Sequence, residues 1–400
     1  MKIVFLASRF PYPLLKGDQV RAYHFLERLH QQHQVTLITP YHHHADQPMR
    51  DVVRQICSTL ELVPLTTRSA VPRIATAVPS STPLQVAYLS DPMLGARLKE
   101  VVQRDKPDVV HIQLARLGEL GLNLAGVPRV LDFIDALSLN MLRRGRRERG
   151  LKRVLFFVEA QRMAAFERRL CQHYDQATIS SPLDRDFIGK LKNLHVVSNG
   201  VDLSTFPYHP PYERHVAQPT LIFTGRMSYF PNYDAVDYFL TMVLPQVRAA
   251  CPSVGVRIVG ADPPEWLRQK AVAHRAEVTG RVPSIAEALH QATIAIAPLR
   301  SGSGFQNKVI EAMAAGTPVI ATSHAVAALD VAHDEHLLIG DTPDLFSQQI
   351  IRLLHDLELQ QRLAQNAVQR VRQRYTWEAS VRQLDEIYRQ AQHNSYQRSA

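Results

Sequence analysis

IAIAPLRSGSGFQNKVIEAMAAGTPVIAT, residues 294–322, is the stretch whose reading decides the fold. Residues 294–297 form a short apolar run of the kind that fills a buried parallel strand. Gly302 and Gly304 follow, where the backbone is free to turn and to approach a ligand closely. Residues 307–315 are good helix formers, with Val309, Ile310 and Met313 at helical spacing. Gly316 ends that helix, Pro318 forbids its continuation, and residues 319–321 read as a second strand. A helix opening on a glycine-rich loop aims its free N–H groups and its positive dipole end at whatever occupies the loop. Lys308 adds a full charge, and Glu311, one turn on, offers a carboxylate to neutral hydroxyls. A diphosphate joined to a ribose fits this pattern, phosphates over the glycines and Lys308, ribose on Glu311. A plain βαβ unit with Glu311 on a solvated face fits the spacing equally well.

The same punctuation recurs on both sides. Residues 220–224 read as a strand, and Gly225-Arg226 stands at its carboxyl end before a helix, where an arginine fork can hold a diphosphate bidentately. Residues 2–7 read as the first strand, followed by the loop SRFPYPLLKGD and a helix over 19–30, with Gly17 just ahead of it. Arg21 and His24 on that helix fit either a ligand-facing role or ordinary solvated and packing roles. Further strands are predicted over 34–39, 59–64, 108–112, 129–134, 177–180, 196–202, 255–260 and 277–280. His111 ends one of them, as a ligand-site or a core histidine; Asp132 lies inside another and calls for a structural partner. Asp135 and Ser138 follow it as site residues or helix caps. Residues 66–90 read as a mobile connection. Asn199-Gly200 is a turn signal, and Pro207, Pro210 and Pro211 mark a linker. The repeated strand-helix-strand order predicts two doubly wound α/β domains facing a cleft.

EAMAAGTPVIA from Glu311 onward, the glycine loop before it, NGVD at 199–202 and RYTWEASVRQLDEIYRQA at 374–391 resemble glycosyltransferase family 4, the retaining enzymes of GT-B fold. The branch with a G-S-G-[FI]-x-N-K-x-x-E-A-M-A donor motif is the nearer one. The resemblance implies an acceptor-side Rossmann-like domain over 1–202 and a donor-binding one over 203–376, with a last helix, about 377–395, crossing back and anchored by Trp377. It implies a nucleotide-diphosphate sugar, UDP- or GDP-linked, held by Gly17, Gly225, Arg226, Val282, Ser303, Gly304, Phe305, Gln306, Asn307, Lys308 and Glu311. Arg226, Lys308 and Asp135 would act in transfer to a glycan or lipid-linked acceptor, in cell-surface polysaccharide or glycolipid synthesis, with no metal or other cofactor. Two positions depart from the pattern. Ser303 stands where the motif has its first glutamate, and Asn232 where it has a second basic residue, a task Lys308 is expected to take over. A nucleotide-sugar epimerase of GT-B fold, or a nucleotide-sugar binder that has lost catalysis, is the alternative. A dinucleotide dehydrogenase ranks behind these, because the first βα turn lacks G-x-G-x-x-G and no acidic ribose partner is placed after it.

At 400 residues the chain has room for two cores. Its formal charge of +9 favours anionic partners. Three isolated cysteines provide no disulfide framework or zinc spacing, which suits a reducing compartment. His42, His43 and His44 are adjacent, and without further ligands they read as a solvated loop. The N-terminal apolar run is too short for a signal peptide, and nothing reaches transmembrane length. Arg143, Arg144, Arg146, Arg147, Arg149, Lys152 and Arg153 face a single Glu148 and run directly into VLFFV. That juxtaposition suits an anionic membrane surface or an anionic acceptor, or else a charged face with Phe156 and Phe157 in the core. Nucleic acid is not expected, because no aromatic residues interleave the basic run. The expected location is the cytoplasm, peripheral at the inner face of the cell membrane.

Overall fold

The computed structural model describes residues 1–41, 47–64, 70–146, 148–214, 218–302 and 305–399, with the backbone alone beyond residue 394. His42, His43, His44, Arg147, Ser303 and Gly304 lie outside the described residues. The chain divides into two compact units, Met1–Ser198 with Ser380–Ala400, and Asn199–Ala379.

Seven strands build the first unit: β1 (Lys2–Leu6), β2 (Gln34–Tyr41), β3 (Thr59–Pro64), β4 (Val109–Gln113), β5 (Arg129–Asp132), β6 (Gln176–Ile179) and β7 (Leu194–Val196). All pair in parallel, in the order β3-β2-β1-β4-β5-β6-β7. Six build the second: β8 (Thr220–Thr224), β9 (Gly255–Val259), β10 (Glu277–Gly280), β11 (Ile294–Ala297), β12 (Val319–Ala321) and β13 (Leu338–Ile339). These are parallel as well, in the order β10-β9-β8-β11-β12-β13. Central strands such as β4, β6, β8 and β11 are buried along their whole length, as parallel strands covered on both faces must be. Each sheet reverses its winding once, between β1 and β4 in the first unit and between β8 and β11 in the second. At such a switch point the loops leaving the two strands diverge and open a crevice beyond their carboxyl ends.

The helix after β11, Asn307–Ala315, buries Val309, Ile310, Ala312 and Met313. It stops at Gly316 in the left-handed region, where a Cβ would come 2.6 Å from His209 O. Two expectations change, and one stretch gains its context. Residues 70–89, predicted as part of a mobile connection, carry the helices Ala70–Ala77 and Leu84–Leu89. These bury few side chains and are pinned instead by polar bonds. Arg73 Nε donates to Ala87 O at 3.1 Å, and Leu84 N–H to Glu159 Oε2 at 2.8 Å. The strand predicted over 196–202 pairs with the sheet only through Val196. Gly200 then lies against the backbone of Thr376 and Trp377, and Val201 pairs with Thr376. The apolar VLFFV sits inside a single long helix, Gly150–His173, that begins within the basic stretch.

Candidate functional site

In the second unit, Gly225-Arg226 leaves β8 and Lys308 opens the helix after β11, so both sit at the switch point. Gly225 has φ +152°, and Gly260, at the tip of β9, packs so closely that a Cβ there would overlap Gly225 O. This brings β8 and β9 together without side chains between them. Asn232, on the helix Phe230–Tyr238, ties the crevice together. Its Nδ2 donates to Arg226 O at 2.8 Å, and its Oδ1 accepts from Lys308 Nζ at 2.6 Å. The Lys308 ammonium also lies 4.1 Å from the centroid of the Phe223 ring. Burial pushes Lys308 down to about 7, against the pull of Glu311, and pushes Glu311 up to about 7, against the pull of Lys308. Arg226 is exposed; its Nη2 lies 2.7 Å from Asp262 Oδ2, and its Nε 3.1 Å from Ser228 Oγ. Asp234 pairs with Arg300 at 2.8 Å, so neither it nor Asn232 caps its helix.

Around the glycine loop, Gly302 has φ +110° and its carbonyl lies 3.1 Å from His324 Nε2. Ser301 Oγ and Asn307 Oδ1 are buried without hydrogen-bond partners. An orphaned hydroxyl and an orphaned amide oxygen flanking one loop are what a polar ligand would satisfy. The helix has no side-chain cap at Gln306, so its first N–H groups stay open to the loop. Phe305 turns inward, with its ring 5.5 Å from that of Tyr375, so only its backbone faces the loop. Val282 follows β10 and packs on the core, with its backbone in the turn. Ser303 and Gly304 complete the predicted set but lie outside the described residues. The crevice therefore gathers Gly225, Arg226, Gln306, Asn307, Lys308 and Glu311, with Asn232 as the member whose bridging role its sequence position did not reveal.

In the first unit, Gly17 begins the helix Gly17–Leu29, which also lacks a side-chain cap. Arg21 is fully buried in a bidentate pair with Asp132, at 2.7 and 3.1 Å, and Thr178 Oγ1 donates to the same carboxylate at 2.9 Å. That is the structural partner Asp132 requires, and it removes Arg21 from any ligand role. His24 bonds Glu27 and Arg28 on its own helix. His111 is a core residue, stacked on Phe5 at 4.2 Å, with Tyr388 Oη 2.9 Å from its Nδ1. Burial pushes it down to about 4, which keeps it neutral.

Asp135 follows a γ-turn in which its N–H bonds Phe133 O at 2.8 Å across Ile134, whose φ is +63°. A β-branched residue rarely adopts that conformation, which costs about 1–3 kcal/mol, and such strain concentrates at functional turns. Asp135 accepts from Ser180 Oγ at 3.2 Å, and burial raises its carboxyl above the usual range. Neither Asp135 nor Ser138 caps the next helix, Leu137–Gly145. Glu167 does so from outside, accepting from Leu137 N–H at 2.8 Å, and burial pushes it up to about 7. Asp184, buried beside Asp135, is likewise pushed up to about 7 by burial. Arg116, just past β4, lies near Arg9 and Asp18, with its Nε buried and without a hydrogen bond. Glu167, Asp184 and Arg116 carry no motif; Glu167 and Asp184 are brought near each other by the fold, and Arg116 is brought near Arg9 and Asp18. Among the described residues no three His, Cys, Asp or Glu side chains converge as metal ligands.

Comparison with known proteins fits this architecture. Residues 16–200 match the family "Glycosyl transferase 4-like domain", and residues 218–356 match "Glycosyl transferases group 1". A phosphatidyl-myo-inositol mannosyltransferase of Mycolicibacterium smegmatis is 30% identical over 199 residues, 48% of this chain and 50% of that one. The match thus spans about half the length of that relative. Among solved structures, sucrose-phosphate synthase from Thermosynechococcus elongatus superposes with TM-score 0.68 at 17% identity, over 97% of this chain and 98% of that one. Anabaena Alr3699/HepE, solved in complex with UDP-glucose, does so with TM-score 0.66 at 16% identity, over 96% and 98%. The fold is GT-B, with one glycosyltransferase domain family matched over residues 16–200 and a second over residues 218–356.

Proposed function

We propose that the chain is a retaining glycosyltransferase that moves a sugar from a UDP- or GDP-linked donor to a glycan or lipid-linked acceptor. The observation that carries this reading is the Lys308–Asn232–Arg226 linkage at the switch point of the second sheet, beside the unpartnered Ser301 hydroxyl and Asn307 amide oxygen. When the bond from the sugar's anomeric carbon to the diphosphate breaks, negative charge gathers on the leaving phosphate oxygen. The Lys308 ammonium, the open helix N–H groups and the Arg226 fork meet that charge. Arg226 exchanges Asp262 for phosphate, a small loss, since an exposed pair contributes about 0–1 kcal/mol. The acceptor hydroxyl attacks from the face the diphosphate leaves and gives its proton to the departing oxygen, so no protein nucleophile is used. Glu311 takes the ribose hydroxyls, and Asp135 contacts donor sugar or acceptor. These cationic groups, rather than a divalent metal, supply the electrostatics, so turnover is expected to survive a chelator.

Thermal unfolding with UDP, GDP and ADP tests the reading. One nucleotide at 100 times its dissociation constant should stabilise the protein by about 2.7 kcal/mol, and Glu311→Ala should abolish the shift. Lys308→Ala and Arg226→Ala should each lose roughly 10²–10³ in turnover while remaining folded. No shift with any of the three nucleotides sinks the proposal.

For the acceptor side we propose an anionic membrane surface as the place of work. The basic stretch and the helix Gly150–His173 present Leu151, Val154, Leu155 and Val158 on one face, exposed by 85, 57, 50 and 39%. Arg146, Arg149 and Lys152 are exposed around it. Apolar side chains ringed by cations suit insertion among anionic headgroups. Arg144 and Arg153, also exposed, lie over Phe156 and Phe157, at 4.6 and 5.6 Å. No helix among the described residues is long and apolar enough to cross a membrane.

A further inference from the structure

The tips of two side chains from different helices meet over Gly225. A Cβ on Gly225 would lie 2.8 Å from Asn232 Nδ2 and 3.0 Å from Lys308 Nζ. Asn232 is nearly buried, and both ends of its amide are used, one on the Arg226 carbonyl and one on the Lys308 ammonium. An amide holding a backbone carbonyl with its N–H and an ammonium with its oxygen is fixed in orientation, because a flip would set donor against donor. The Phe223 face bounds the ammonium as well. Left unheld, a lysine has four rotatable bonds and a strongly hydrated head that prefers water to a half-buried crevice.

We propose that Asn232 is the positioning residue for Lys308, and that the amine over Gly225 is a functional spot which either helix can supply. The amide acts through the lysine and does not itself meet the charge of the ligand. Two things follow from the geometry. Removing the amide frees Lys308 to leave the spot, and moving the amine to residue 232 while making residue 308 the amide refills it from the other side. The inference rests on the diphosphate reading of the crevice for its role, but not for its geometry. It also accounts for a second constraint. The small residue at 225 is required because two polar tips occupy the space where its side chain would stand.

The test uses the full chain and four forms: wild type, Asn232→Ala, Lys308→Gln and the exchange Asn232→Lys with Lys308→Asn. Calorimetric titration is made with whichever of UDP, GDP and ADP binds wild type tightest, across neutral to alkaline pH. Lys308→Gln should weaken binding about tenfold or more, as expected for losing one charge-assisted contact. Asn232→Ala should weaken it several-fold and displace the pH midpoint of binding, which a purely structural residue would not do. The exchange should recover most of the loss. An exchange form as weak as Lys308→Gln, or an Asn232→Ala form with unchanged affinity and unchanged midpoint, overturns the inference. If wild type binds none of the three nucleotides, the diphosphate reading fails by itself. Crystal structures of wild type and Asn232→Ala then decide the positioning claim. The Lys308 amine leaving Phe223 in the variant upholds it, and an amine unmoved refutes it.

Discussion

Arg21 and Arg226 are chemically alike and do opposite work. Arg21 has no exposed surface and gives its fork to Asp132, whereas Arg226 is exposed and holds a replaceable partner. Burial pushes the Asp132 carboxyl up, but the Arg21 charge and hydrogen bonds outweigh it and hold the group below the usual range. Such a pair contributes stability above the unfolded carboxylate value of about 4, lost as pH falls through the folded value. Arg21→Met leaves a buried carboxylate without its counter-charge, held only by neutral donors such as Thr178, and should cost about 3–5 kcal/mol in urea unfolding near neutral pH; a loss below about 1 kcal/mol would falsify the structural assignment. Lys308 titrates in the other sense. Its ammonium is pushed down to about 7 by burial, and a diphosphate favours the charged form. Nucleotide affinity should therefore be full below about pH 7 and decline as pH rises, with proton uptake on binding. Glu311, pushed up to about 7, ionises to meet a ribose and opposes that trend, so Glu311→Gln isolates the lysine. Affinity in Glu311→Gln that stays flat from about pH 6.5 to about 8.5 would exclude Lys308 from the diphosphate.

At the scale of elements, what could be read in advance depended on how far each signal was local. The β11–helix–β12 unit was legible because its boundaries are set by its own residues: an apolar run, glycines, and Gly316 with Pro318. The helices over 70–89 were not, since their stability lies in Arg73 and in Glu159, 75 residues from the N–H it accepts. β13 has two residues, too few for any pattern. In the crevice, Lys308 and Glu311 were legible from helical spacing, whereas the bridge made by Asn232 joins residues 76 apart and exists only in three dimensions. The long helix Gly150–His173 shows the same division. Its basic start is plain in the sequence, but which apolar residues face water depends on what packs beneath. Leu151→Glu with Leu155→Glu should abolish sedimentation with phosphatidylglycerol vesicles while leaving the unfolding temperature within about 2 °C, since surface changes stay within about 0.5 kcal/mol. Unaltered sedimentation would remove this face from membrane contact.

At the scale of the whole molecule, the last helix, Trp377–Ser399, belongs to the second unit at its start and to the first from Ser380. Trp377 is buried with its backbone against Gly200, while Leu384, Ile387, Tyr388 and Ala391 are buried in the first unit. Tyr388 reaches the center of that unit's sheet, bonding His111 on β4. Each unit has its own core, so calorimetry can address them separately. Tyr388→Ala should remove about 3–5 kcal/mol, by analogy with other large aromatic deletions, and lower the transition of the first unit by roughly 10 °C. The donor nucleotide, bound in the second unit, should raise the other transition alone. A Tyr388→Ala protein whose single transition falls as one, and rises as one with nucleotide, would show instead that the two cores unfold as a single cooperative body. The helix would then transmit stability across the chain rather than merely close one of its parts.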